Sequence, residues 1–391
     1  MAWHASPTFG FAAELMPLPR PVNRANKRGE GGNRAMPTLE ITIDVSDAAR
    51  LGVAAHIAAT VTLPEHAPVD HPIVCFARPS SSYTRAYYTH DLPGAGAGAQ
   101  AAFHAARGWI FVALDTLGCD RSPEAEALDR ERLDFATLAA AAHAAEQDIL
   151  ARLANGVLLA GYPPVIQPTV LGLGLALGGA LAIYQQARHR SYHRLGVLGF
   201  SAVHTHPLAP PGGELVTVGW YPRDAGLETG WGEGAEPLNA EALAAAERSG
   251  RGGAAWAALA WGFHYDDVPR EVVERDLRHY DAIAGGTAEH GDDGPWYARR
   301  TPERAARSTL TPGVVATEAA AITVPVLAAM GERDLVPDPA GEARAYRSAS
   351  SMDLFVCPRM GHVHNMAGTR ALLWERLDLF GQWCAAVRAA S

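Results

Sequence analysis

The sequence predicts a doubly wound α/β fold, a mostly parallel sheet of about eight strands carrying an inserted, mainly helical cap. Three observations predict it. Short apolar runs recur along the chain and alternate with stretches of helical pattern. Most of these runs are apolar at consecutive positions, as strands buried on both faces of a parallel sheet must be. One interval, about 207–320, separates two runs by far more than a crossover needs.

Taken in order, residues 1–36 are rich in Pro, Gly, Asn and Arg and lack periodicity. A disordered leader is expected there, with Met36 a candidate initiator. Over 39–45 and 53–63 apolar residues alternate roughly in twos, the pattern of an antiparallel hairpin. Buried strands are then expected at 73–77, 109–114, 169–175, 195–200, 324–330 and 354–357. Helices are expected at 137–153, 179–189, 341–348 and 369–389. The core is thus read as 37–206 plus 321–391, with the cap as 207–320. That interval holds one helical stretch, 269–284, and five of the nine tryptophans: Trp220, Trp231, Trp256, Trp261 and Trp296. Open α/β sheets bind ligands at the carboxyl ends of their strands, where such an insertion would sit. Its aromatics either line a pocket there or fill only the insertion's own core.

Composition narrows the function. The 391 residues are 48% hydrophobic and 19% charged, ordinary for a globular protein. The formal net charge is -9 with no basic stripe, which argues against nucleic acid as a partner. Lys27 is the only lysine. Cys75, Cys119, Cys357 and Cys384 stand far apart, so neither a disulfide framework nor a zinc site is implied. Cys75 and Cys357 lie in apolar runs and are expected to be buried. No signal peptide or membrane span is evident, so a reducing cytoplasm and no membrane partner are expected. A homo-oligomer is left open.

The chemistry is carried by Gly174-Leu175-Ala176-Leu177-Gly178. It follows an apolar strand and precedes a helix, the setting of the nucleophile elbow G-x-S-x-G. The small flanking residues have a steric task, because a nucleophile in a strained turn needs room two residues away on each side. Asp334, in Gly331-Glu-Arg-Asp334, follows a later apolar run. His362, in Met360-Gly-His362-Val-His364, follows the last. Asp115-Thr-Leu-Gly-Cys-Asp120-Arg-Ser122 and Arg78-Pro-Ser-Ser-Ser-Tyr83 each follow an earlier one.

Together these segments resemble the α/β-hydrolase fold superfamily, over about 39–389. The resemblance implies a nucleophile at position 176, Asp334 as the acid and His362 as the base, in that chain order. It implies an oxyanion hole from the Leu177 amide and a second amide at Ser81 or Ser82. The 115–122 segment is similar to the D-x-x-G-x-G-x-S loop of these hydrolases, with Asp120 replacing a usual glycine. Serines replace the His-Gly or glycine run common in the 79–82 loop. His364, two residues on, is the alternative base.

Alanine has no hydroxyl, so Ala176 cannot attack a carbonyl. Three readings follow. In the first, the working enzyme carries serine at 176, this chain is an inactivated variant, and the activity is hydrolysis of an ester or lactone of an apolar small molecule. In the second, alanine is native and the protein is a ligand-binding pseudoenzyme. In the third, His362 and Asp334 perform acid–base chemistry such as elimination. Ser80, Ser81, Ser82 and Ser201 are substitute nucleophiles, although Ser201 lacks the following glycine. Tyr83, Arg85 and Tyr87 either face the pocket or pack as a surface turn. Trp220 and Trp261 are the cap's pocket candidates. The His204 and His206 pair has no nearby carboxylate to complete a metal site. No cofactor is implied, because Gly172, Gly174 and Gly178 miss the dinucleotide-binding spacing.

Overall fold

The computed structural model describes residues 36–66, 72–119, 127–213, 221–223, 225–228, 254–284 and 294–390. The leader expected before Met36 lies outside them, as do Asp120 and Ser122 of the 115–122 loop and the pocket candidate Trp220.

Eight strands form one sheet: β1 (Thr38–Asp44), β2 (His56–Thr62), β3 (Ile73–Arg78), β4 (Ile110–Leu114), β5 (Thr169–Leu175), β6 (Arg194–Leu198), β7 (Val326–Arg333) and β8 (Met352–Gly361). Their order is β1-β2-β4-β3-β5-β6-β7-β8. β1 and β2 form the expected antiparallel pair, from Thr38 opposite Thr62 to Asp44 opposite His56. β2 also runs antiparallel to β4, and from β4 to β8 every pairing is parallel. The central strands β3, β4 and β5 are buried at every position. This explains their unbroken apolar runs, because helices cover both faces.

On one face lie the helices Phe135–Ala154 and Leu177–His189, packed on each other, with Ala316–Ala321 against the second. The first is capped by Asp134, whose side chain accepts the Thr137 amide at 2.8 Å. It buries Phe135, Leu138, Ala142, Ala145 and Ile149, a stripe at helical spacing. On the other face lie Gln100–Ala105 and the C-terminal helix Arg370–Ala389.

Between β6 and β7 the insertion contributes Ala254–Phe263 and Arg270–Ala284, hereafter the first and second cap helices, with a short helix at Glu303–Arg307. Phe263, Val268, Val272 and Leu277 share one apolar cluster with Leu175, Leu198 and Leu327 of the sheet. The insertion therefore has no separate core on this side.

Two expectations need correction. The helix expected at 341–348 is a 3₁₀ turn, Pro339–Arg344, begun by the Asp338 side chain accepting the Gly341 amide. The turn's hydrogen bonds run three residues back, from the Gly341 amide to the Asp338 carbonyl and from Ala345 to Glu342. The alternative that 83–87 packs as a surface turn also fails for its aromatics, because Tyr83 and Tyr87 are buried. Cys75 and Cys357 are buried as expected, and so are Cys119 and Cys384.

Candidate active site

β5 delivers the chain to Ala176, whose φ is 51° and ψ −115°. This backbone region is costly for any residue with a Cβ, on the order of 1–3 kcal/mol. The turn is enforced by its surroundings. The Ala176 amide donates to the Leu198 carbonyl at the end of β6 (2.9 Å), and the Ala176 carbonyl accepts the Ala180 amide (3.0 Å). A Cβ on Gly174 would lie 2.2 Å from the Gly178 carbonyl carbon. One on Gly178 would lie 2.4 Å from the Arg78 carbonyl oxygen. Both positions are therefore closed to larger residues, for the steric reason read from the sequence. The Gly178 contact also sets the start of the 79–83 loop directly against the elbow.

Leu177 begins the elbow helix, so its N–H has no acceptor within that helix. Across from it, the Tyr83 amide donates to the Ser80 carbonyl (3.1 Å), closing a turn that contains Ser81 and Ser82.

Asp334 lies just past β7 and is 2% exposed. Its carboxylate accepts four hydrogen bonds. Oδ1 takes the Leu335 amide (2.7 Å) and His362 Nδ1 (2.7 Å). Oδ2 takes the Gly331 amide (2.8 Å) and His364 Nε2 (2.9 Å). Burial alone would raise the carboxyl's pKa. The two imidazoles, by charge and by hydrogen bonding, reverse this and hold it well below the usual carboxylate range. Asp334 is thus an ionised acceptor, and the bond to Nδ1 leaves Nε2 of His362 as the nitrogen that can take a proton.

The structure joins the elbow and the imidazole through one residue that sequence reasoning missed. Gly199 has φ 53°, and a Cβ there would lie 2.9 Å from His362 Nδ1. Elbow, end of β6 and imidazole are therefore successive neighbours. His364, weighed as an alternative base, has Nε2 committed to Asp334 and Nδ1 buried with no hydrogen-bond partner among the described residues.

The cap closes on the histidine. The Gly262 carbonyl accepts the His362 amide (2.8 Å), and the Phe263 carbonyl accepts the Val363 amide (2.9 Å). The Phe263 ring lies 5.1 Å from the His362 ring. Gly361 admits this approach, since a Cβ there would meet the Phe263 carbonyl oxygen at 2.4 Å.

The remaining candidates are placed as follows. The Tyr83 hydroxyl donates to Asp276 Oδ1 of the second cap helix (2.6 Å). Burial and then the Asp276 charge push this phenol well above its usual value, so it stays a donor. Trp261 is half-buried with the Arg333 guanidinium 5.0 Å over its ring, beside the acid turn. Arg85 bridges Asp115 and Glu40. The Ser201 hydroxyl donates to Glu342. The His204 and His206 rings pack edge-on at 5.1 Å. Among the described residues no group of three His, Cys, Asp or Glu side chains is arranged to hold a metal ion, and no helix is long and apolar enough to cross a membrane.

Sequence reasoning also missed His264, Asp276 and His279. Asp276 and His279 stand three apart on one helix, a spacing that puts both on one face. An Asp-x-x-His pair on one helix was the available signal, and the many other charged residues of Arg270–Ala284 hid it.

No protein-family model matches this sequence, and a search of the curated proteins finds no match. Solved structures do match along most of the chain. Proline iminopeptidase from Mycobacterium smegmatis superimposes with a TM-score of 0.56 at 14% identity, covering 90% of this chain and 100% of its own. VinJ gives 0.52 at 15%, covering 88% and 99%. The peroxisomal α/β-hydrolase Lpx1 from Saccharomyces cerevisiae gives 0.50 at 11%, covering 89% of each chain. The chain has the α/β-hydrolase fold.

Proposed function

We propose that this fold hydrolyses an ester or lactone of an apolar small molecule when a hydroxyl occupies position 176, and that the alanine form is its silenced state. One observation carries the reading. Ala176 is held at a φ of 51° between two glycines that admit no side chain. A methyl group gains nothing from so costly a backbone, whereas a nucleophile lifted to the tip of a turn does.

The chemistry follows from the geometry. The hydroxyl at 176 attacks the carbonyl carbon while His362 Nε2 takes its proton. Asp334 holds the ring by Nδ1 and remains ionised throughout. The carbonyl oxygen, now an anion, receives N–H donors from Leu177 and from Ser81 or Ser82. Collapse of the intermediate expels the alcohol, which takes the proton back from His362. Water then repeats the sequence on the acyl group. The apolar rings of Phe263 and Tyr280, in contact at 5.2 Å, favour an apolar substrate, with Tyr83 and Trp261 as further lining. No cofactor takes part, and the free thiols of Cys75, Cys357 and Cys384 favour a cytoplasmic setting.

Substituting Ala176→Ser tests this. Against p-nitrophenyl esters the serine form should exceed the alanine form by at least about a thousandfold, the scale of losing a nucleophile. Equal rates would refute the proposal. A second reading is favoured by Asp334 gathering two imidazoles, a complete acid–base set without a nucleophile. It expects the alanine form to exchange protons next to a carbonyl in heavy water, and His362→Gln to stop that exchange.

A further inference from the structure

The proposed reaction needs two loops, the one holding Ser81 and Ser82 and the one holding His362. Both are tied to the insertion, and the ties meet. The end of the first cap helix receives the His362 and Val363 amides. The next residue, His264, donates Nε2 to Asp276 Oδ2 at 2.9 Å. Asp276 Oδ1 accepts the Tyr83 hydroxyl at 2.6 Å. One turn further along the same helix, His279 Nε2 donates to the Ser82 carbonyl at 3.0 Å. That carbonyl also accepts the Ala298 amide from the insertion at 3.0 Å. Tyr83, His264, Asp276 and His279 are all buried.

Polar groups are a costly way to pack helices that apolar side chains could pack as well, so their directionality is the informative property. Here the direction is specific. The peptide between Ser82 and Tyr83 is held at its oxygen by two donors from the insertion, and at its nitrogen by the Ser80 carbonyl. The bond to the Ser80 carbonyl closes a turn around Ser81 and Ser82, so holding that plane restricts the two N–H groups inside the turn.

We propose that Asp276 and His279 are positioning residues. The second cap helix orients the oxyanion loop, and His264 references it to the strand end that carries His362. The catalytic part of this inference rests on the hydrolase reading above. The structural part does not.

The experiment has two arms. In the alanine chain, hydrogen–deuterium exchange is followed in peptides covering 80–84. His279→Phe, which keeps a ring and loses the donor, should speed exchange there about tenfold or more, as should Asp276→Asn. His279→Gln, whose amide can still donate to the carbonyl, should restore slow exchange. In the Ala176→Ser background, His279→Phe and Asp276→Asn should lower kcat about tenfold and leave KM within about twofold, again restored by His279→Gln. Unchanged exchange in 80–84 in both variants would overturn the proposal. So would exchange that rises equally in β5 and the elbow helix, which would make these residues general supports of the fold. Exchange is read without chemistry. A serine form that hydrolyses nothing therefore defeats the functional reading alone, and the loop's protection still decides the brace.

Discussion

At position 176 a single backbone conformation holds the meaning of the site. An alanine at φ 51° is strained, and the strain persists because the Leu198 carbonyl, the elbow helix and two crowded glycines leave no other path. Glycine populates positive φ without a Cβ penalty, although it also loses more freedom on folding. Ala176→Gly should therefore raise stability, by about 1 kcal/mol in urea unfolding. A loss of stability would mean that the turn is not strained. Asp334 shows the opposite economy. Its carboxyl is held low by two imidazoles, so the stabilisation it supplies is present above the unfolded carboxylate's pKa and fades as the pH falls below it.

At the scale of elements, the elbow helix is supported from behind by the helix Phe135–Ala154. Glu146 of that helix is buried, accepting Tyr192 Oη (2.7 Å) and Gln185 Nε2 (2.6 Å), and Arg78 donates to the same Tyr192 oxygen (3.0 Å). Burial outweighs the Arg78 charge and these hydrogen bonds, and lifts the Glu146 carboxyl to about 7. The unfolded chain releases this proton near its ordinary value of about 4.3, while the folded chain keeps it until about 7. The unfolded state thus binds fewer protons between these limits, and stability falls as pH rises through them. Glu146→Gln should flatten that slope, measured as the urea midpoint at pH 5, 6 and 7. A slope identical to the parent's would exclude Glu146 as its source. The elements themselves were largely legible. β5 occupies the residues its apolar run marks, and the elbow helix begins two residues before the expected start. At 341–348 an Ala- and Arg-rich stretch has helical composition, but the chain after Asp338 closes as a 3₁₀ turn that ends at Arg344.

For the whole molecule, the decisive feature is that insertion and sheet share an apolar cluster. Phe263 belongs to that cluster and faces His362, while its carbonyl accepts the Val363 amide. Phe263→Ala should cost about 3–5 kcal/mol, the range for truncating a buried aromatic. Tryptophan fluorescence and far-ultraviolet circular dichroism should still report one coincident unfolding transition. Two separated transitions would show that the insertion folds on its own.

By itself the sequence determined the sheet, and it marked the turn at Ala176, the polar Asp334 and His362 as the residues to look at. Each is written locally, as an apolar run, a pair of small residues flanking a turn, or a polar residue just past a strand. Only the tertiary structure decided that Asp334 serves two histidines, that Gly199 must be small beside the imidazole, and that Asp276 and His279 reach the 80–83 loop. Those contacts join residues up to 197 positions apart, and side-chain direction at such separations is set by packing, which no local pattern encodes.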